Sequence, residues 1–199
     1  MTHVFTFIVG VLSSIAAALV LRHAADRYSS HIGFRRVMKD VISLFRAIQK
    51  DDYIPDEIIG VDRNGSIVAS ILSGYIGFRP VMVIATRTIH HADSPREVNL
   101  STDHLPGEGA FCGKKVLVVC CYVDTGSALE VVYNYLYSLP TPPSEIRTAA
   151  IYTTPSPRLK PRYFIHELGK DMKVSIDRVI LRMPWIKEDW KLAPRGKKV

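Results

Sequence analysis

The chain has 199 residues, 47% hydrophobic and 23% charged, which excludes a disordered or low-complexity protein. Three cysteines and no Cys-x-x-Cys pair exclude a disulfide-stapled scaffold and a structural zinc site of the usual spacing. The net charge of +7 divides into +5 over Arg22–Lys50, −5 over Asp51–Pro155 and +7 over Ser156–Val199. This is two basic flanks around an acidic middle, not a basic stripe interleaved with aromatics, and it argues against a nucleic-acid partner.

Val4 to Leu21 is an uncharged run of 18 residues. As a helix it would reach about 27 Å, close to the thickness of a hydrocarbon core. Thr6, Ser13 and Ser14 can bond back to helix carbonyls and are tolerable in lipid. No Lys or Arg precedes the run, and Arg22, Arg27, Arg35, Arg36 and Lys39 follow it. The positive-inside rule then predicts a single-pass anchor in the inner (plasma) membrane, with the amino terminus outside and the rest cytoplasmic. Two other readings stand beside it. A cleaved signal peptide normally carries positive charge ahead of its apolar run, which is missing here. A buried core helix is rarely apolar all round at a chain terminus.

From His31 to Lys50 the apolar residues Phe34, Val37, Met38, Val41, Leu44, Phe45 and Ile48 recur at spacings of three and four, predicting an amphipathic helix. Arg35, Arg36, Lys39 and Arg46 fall on its other face, either near anionic lipid or simply in water over a helix packed on a sheet. Beyond Pro55 the pattern shortens. Glu57–Val61 reads as a buried strand, Asp62–Gly65 as a turn, and Ser66–Gly77 as a helix with Ser66 as N-cap. Val81–Ala85 is a second strand. Thr86–Gly113 is polar and without sustained period, a functional lid or an unread hairpin. Val116–Cys121 is a buried strand, Ala128–Ser138 a helix, Ile146–Tyr152 a strand, Ser156–Arg162 a basic Pro-rich loop and Arg178–Met183 a last strand. Strands alternating with helices predict an α/β domain with a mostly parallel sheet.

Two strand–loop–helix junctions, Asp62–Ser66 and Asp124–Ala128, fall where open α/β sheets bind ligands, beyond the carboxyl ends of strands. A short loop of Gly, Thr and Ser lets several backbone N–H groups converge on one anion, aided by the positive end of the following helix. Asp124-Thr125-Gly126-Ser127 fits such a phosphate cradle, although the same residues also cap ordinary helices. No Gly-Lys-Ser/Thr is present, so it is not a Walker loop.

Lys115 to Leu129 (KVLVVCCYVDTGSAL) resembles the phosphoribosyl-pyrophosphate (PRPP) loop of type I phosphoribosyltransferases. Ile58 to Gly77 resembles that family's pyrophosphate loop and helix. Arg178 to Trp185 (RVILRMPW) resembles the closing strand and Pro-Trp of its xanthine-guanine branch. The resemblance covers roughly Asp56 to Trp185, and order and spacing agree. It implies a Rossmann-like, mostly parallel sheet, preceded here by the transmembrane helix. The expected organisation is residues 1–22 as anchor, 23–54 as juxtamembrane helix, 55–190 as a phosphoribosyltransferase-like domain and 191–199 as a basic tail.

By the same resemblance, Asp124, Thr125, Gly126, Ser127 and Ala128 hold the 5′-phosphate, with Asp124 also near the base for proton transfer. Arg63, Asn64 and Gly65 hold pyrophosphate. Magnesium bridges pyrophosphate and ribose hydroxyls in an active enzyme, and Thr86–Gly113 occupies the position of the mobile loop. The sequence departs from the family at its ribose-gripping acidic pair, which falls at Cys120 and Cys121, and at the closing Thr of the phosphate loop, here Ala128. Thr154 stands at the purine-reading Lys and Ile180 at the stacking aromatic, with Leu181 and Trp185 as further base-site candidates. The expected function is a membrane-anchored protein that binds PRPP or a nucleotide 5′-phosphate and, as a pentosyltransferase, transfers phosphoribosyl to a purine-like base. The alternative is a catalytically inactive nucleotide-binding sensor or effector at the membrane. Membrane lipid and a second copy of the chain are the other expected partners. His90, His91, Asp93, Asp103 and His104 could collect a metal, but their spacing defines no site.

Overall fold

The computed structural model describes residues 33–89, 97–101, 105–168 and 183–185. The chain divides into two units, residues 1–34 with 181–199, and residues 35–180. The second unit holds the sheet. In chain order the described elements are α1 (Phe34–Lys50), β1 (Glu57–Val61), α2 (Asp62–Tyr75), β2 (Val81–Ile84), β3 (Thr86–Ile89), β4 (Glu97–Leu100), β5 (Lys115–Val123), α3 (Ser127–Ser138), β6 (Glu145–Thr153) and β7 (Tyr163–Glu167).

Five strands form one parallel sheet in the order β2-β1-β5-β6-β7. β1 is buried throughout, and so is β5 apart from Lys115 and Tyr122. That is why both read as continuous apolar runs: strands covered on both faces carry no polar alternation. One face of the sheet (Ile59, Val61, Val116, Val118, Cys120, Ala150) packs under Leu129, Val132 and Leu136 of α3. Strand alternation sends Leu117 and Val119 to the other face. α1 meets α2 where the Phe45 and Tyr75 rings lie 5.9 Å apart. α1 buries Val37, Val41, Leu44 and Ile48 and leaves Arg35, Arg36, Lys39, Arg46 and Lys50 exposed. Its one acid, Asp40, is buried and meets His166 Nε2 at 3.0 Å.

Several expected boundaries move. α2 starts at Asp62, so the expected turn is its first helical turn, and Asp62 adopts φ 56. Ser66 is not the N-cap; its hydroxyl donates to the Arg63 carbonyl. Thr86–Gly113 is not one irregular loop. β3 and β4 pair antiparallel as a separate two-stranded ribbon. Farther on, Phe111 is fully buried, and Tyr135 donates to the Pro106 carbonyl at 3.1 Å. β7 is a strand that the polar, Pro-rich sequence around it concealed. Val4–Leu21, Arg178–Arg182 and Lys191–Val199 lie outside the described residues, as do His90, His91, Asp93, Asp103 and His104.

Candidate active site

The chain leaves β1 towards β2 on one side and returns to β5 on the other, so the strand order reverses between β1 and β5. A parallel sheet opens a crevice at that reversal, past the carboxyl ends of the two strands. A cavity of about 420 Å³ lies there. Asp62, Asn64 and Gly65 from the β1–α2 junction line it, with Cys120 to Leu129 from β5 and the start of α3. Val61 of β1, Thr86, Thr88 and Val98 of the ribbon, and Arg158 complete the lining.

Close packing accounts for the glycines of both loops. Gly126 has φ +82, and a β-carbon there would lie 2.7 Å from the Leu159 amide nitrogen and 3.0 Å from that of Arg158. A β-carbon at Gly65 would lie 2.5 Å from the Val119 carbonyl oxygen. The start of α2 can therefore approach β5 only without a side chain, which brings the two loops together. The Asp124–Ser127 turn is tied from outside as well. The Arg158 amide donates to the Thr125 carbonyl at 2.7 Å, and the Thr154 hydroxyl donates to the Asp124 carbonyl at 2.6 Å. Thr125 Oγ1 and Ser127 Oγ lie 3.0 Å apart at the mouth of α3, so two hydroxyls and the first amides of that helix share one small volume. Such a cluster can accept an anion.

Asp62 Oδ1 accepts the Thr86 amide at 2.5 Å, and Oδ2 accepts the Thr86 hydroxyl at 2.9 Å. Burial raises its pKa above the ordinary carboxylate value, outweighing the opposing Thr86 hydrogen bonds. The thiols of Cys120 and Cys121 are buried, and burial raises both pKa values, that of Cys121 to about 12. For Cys120, the nearby Asp62 charge adds to the effect. Both are neutral thiols at physiological pH.

The structure thus brings Asp124, Thr125, Gly126, Ser127, Ala128, Asn64, Gly65, Cys120 and Cys121 around one cavity. Arg63 is exposed and is not among the lining residues. Thr154 is outside the lining too, its hydroxyl engaged by the Asp124 carbonyl. Ile180 and Leu181 lie outside the described residues, and Trp185 belongs to the other unit. Sequence reasoning missed Asp62, read only as a turn, the ribbon threonines, and Arg158. The latter was one of several cations in a Pro-rich loop, and only the return of that loop onto Thr125 distinguishes it.

The phosphoribosyl transferase domain family matches residues 33–181. Among solved structures, purine phosphoribosyltransferase from Pyrococcus horikoshii is 28% identical, with a TM-score of 0.59 over 68% of this chain and 85% of that one. Xanthine-guanine-hypoxanthine phosphoribosyltransferase from Helicobacter pylori is 21% identical, with a TM-score of 0.54 over 69% and 86%. A Neisseria gonorrhoeae protein solved with bound ppGpp is 15% identical, with a TM-score of 0.58 over 77% and 94%; at the last two identities the likeness is one of fold. No curated protein sequence matches the chain. The chain belongs to the type I phosphoribosyltransferase family.

Family members generally use magnesium with PRPP. Cys120 and Cys121, the positions expected at the ribose, do not fit that ion. Magnesium prefers hard oxygen ligands, and the two positions carry neutral thiols. Both Asp62 oxygens already accept from Thr86. Among the described residues there is no group of three or more His, Cys, Asp or Glu that could hold a metal.

Proposed function

We propose that the cavity binds a phosphoribosyl ligand, PRPP or a nucleotide, through its 5′-phosphate, and that the bound ribose faces Cys120 and Cys121. The observation that carries this is the Asp124–Ser127 turn. It holds Gly126 in the left-handed region, two hydroxyls 3.0 Å apart and the start of α3 at the mouth of the switch-point cavity. Backbone amides and small hydroxyls recognise phosphate whatever happens at the ribose. Arg63, exposed beside Asn64 and Gly65, is assigned to pyrophosphate, and Asp124 to the proton exchanged with a purine-like base. Magnesium takes no ligand from this chain at the ribose.

The thiols favour a second reading, binding without turnover. An oxocarbenium-like ribose gains stabilisation from neighbouring carboxylates, and uncharged thiols supply none. The Neisseria gonorrhoeae protein, solved with ppGpp, holds a nucleotide on the same fold. Calorimetric titration with PRPP, with and without magnesium, tests binding; pyrophosphate release in the presence of purine bases tests turnover. Saturable binding with pyrophosphate release supports transfer, and saturable binding without it supports the sensor reading. Absence of binding by folded protein overturns both.

We also propose attachment to the inner membrane through Val4–Leu21. Among the described residues no helix is long and apolar enough to cross a membrane, and this segment lies outside them. Support comes from the uncharged run, the Lys/Arg bias behind it and the exposed cations of α1.

A further inference from the structure

We infer that Arg158 is the cation that holds the ligand's 5′-phosphate, an assignment that rests on the phosphoribosyl reading of the cavity. Two carboxylates, Asp62 and Asp124, line the cavity, and Arg158 is the one Lys or Arg among the described lining residues. A phosphorylated ligand adds further negative charge to that volume. The amides at the start of α3 contribute only about half an elementary charge. A full positive charge beside them would offset the added negative charge, and Arg63 is not part of the lining.

The loop that carries Arg158 is built onto the phosphate turn. Its amide bonds the Thr125 carbonyl at 2.7 Å, and its backbone and that of Leu159 fill the space a side chain at Gly126 would need. The residue is therefore tethered to the turn through its backbone, but its side chain is 69% exposed and, among the described residues, is held only by Glu130 at 4.0 Å. An ion pair at that distance on the surface is weak. Rotation of the side chain exchanges Glu130 for a phosphate, to which guanidinium can bind through two parallel N–H groups. The same chemistry serves the 5′-phosphate of a free sugar phosphate, of PRPP or of a nucleotide.

Two probes, ribose 5-phosphate and PRPP, titrated calorimetrically into the full-length protein and into R158A, R158K and R63A, separate the roles. Wild-type protein is expected to bind both. R158A should lose about tenfold or more in affinity for both probes, and R158K should recover part of the loss, since Lys keeps charge without the planar fork. R63A should lose affinity for PRPP alone. The R158A fold should be intact, because the loop is held through the backbone amide, and an unchanged thermal midpoint checks this. Wild-type binding with R158A within twofold for both probes overturns the assignment while leaving the phosphoribosyl reading standing. Failure of the wild-type protein to bind either probe overturns both.

Discussion

A β-carbon at Gly65 would meet the Val119 carbonyl at 2.5 Å, whereas one at Gly74 on the same helix would meet nothing within 4 Å. Alanine at the two positions should therefore act with opposite signs. Gly65→Ala must push α2 away from β5 and is expected to cost about 1–3 kcal/mol, the range for overpacking a close contact. Gly74→Ala restricts the unfolded chain and improves helix propensity, and is expected to stabilise by about 0.5–1 kcal/mol. Urea unfolding midpoints read both, and an unperturbed Gly65→Ala would remove the close-approach argument for this loop. Residue-level legibility followed the same divide. Asp124, Thr125, Gly126 and Ser127 were legible as a turn between strand and helix because such a turn is a local pattern. Thr86 on Asp62 and Arg158 on Thr125 depend on residues 24 and 33 positions apart meeting in space, and no spacing announces them.

Among the elements, α1 shows how a helix with a basic face can still belong to the sheet-bearing unit. Just beyond its carboxyl end, Asp51 Oδ2 accepts from Arg147 Nη1 at 2.6 Å, Arg162 Nη2 at 2.8 Å and the Tyr163 hydroxyl at 2.8 Å. These lower the Asp51 pKa, the Tyr163 hydrogen bond most and that from Arg162 next. A carboxylate with a depressed folded pKa stabilises the fold above its unfolded pKa, near 3.8, and that contribution is lost as pH falls through the lower folded value. Asp51→Asn is therefore expected to unfold at lower urea than wild type at pH 7, with the gap closing at acid pH. A gap that is the same at pH 7 and pH 3 would show that Asp51 acts by packing rather than charge. β1, β5 and α3 were legible as elements because burial on both faces of a strand, or along one stripe of a helix, leaves a plain apolar period. The β3 and β4 strands are only four residues each, too short for their alternation to stand out in a polar stretch, and β7 directly follows a basic, Pro-rich loop that hides its start. Phe111 shows the converse: a single fully buried aromatic within a polar stretch gives no period at all.

For the whole molecule, charge is sorted by position along the chain, and α1 continues that sorting onto a surface. Arg35, Arg36, Lys39, Arg46 and Lys50 are exposed, while the helix's only acid, Asp40, is turned inward on His166. Each cation near an anionic leaflet is worth about 1 kcal/mol and is screened by salt, so this face alone would give reversible attachment. An apolar run of 18 residues spanning the bilayer would give attachment that salt does not reverse. The two contributions separate on washing. The full chain expressed in bacterial cells is expected to stay with membranes through high salt and alkaline carbonate, with a tag at its amino terminus reachable by protease from outside. Replacing Arg35, Arg36, Lys39 and Arg46 by Gln should leave carbonate resistance intact, because on the proposed attachment the span would carry it. The same change should erode the uniform orientation, because the Lys/Arg bias behind the span sets it. Release of the wild-type protein by carbonate would sink the span and leave α1 as a peripheral contact; release by salt alone would assign the whole attachment to its cations.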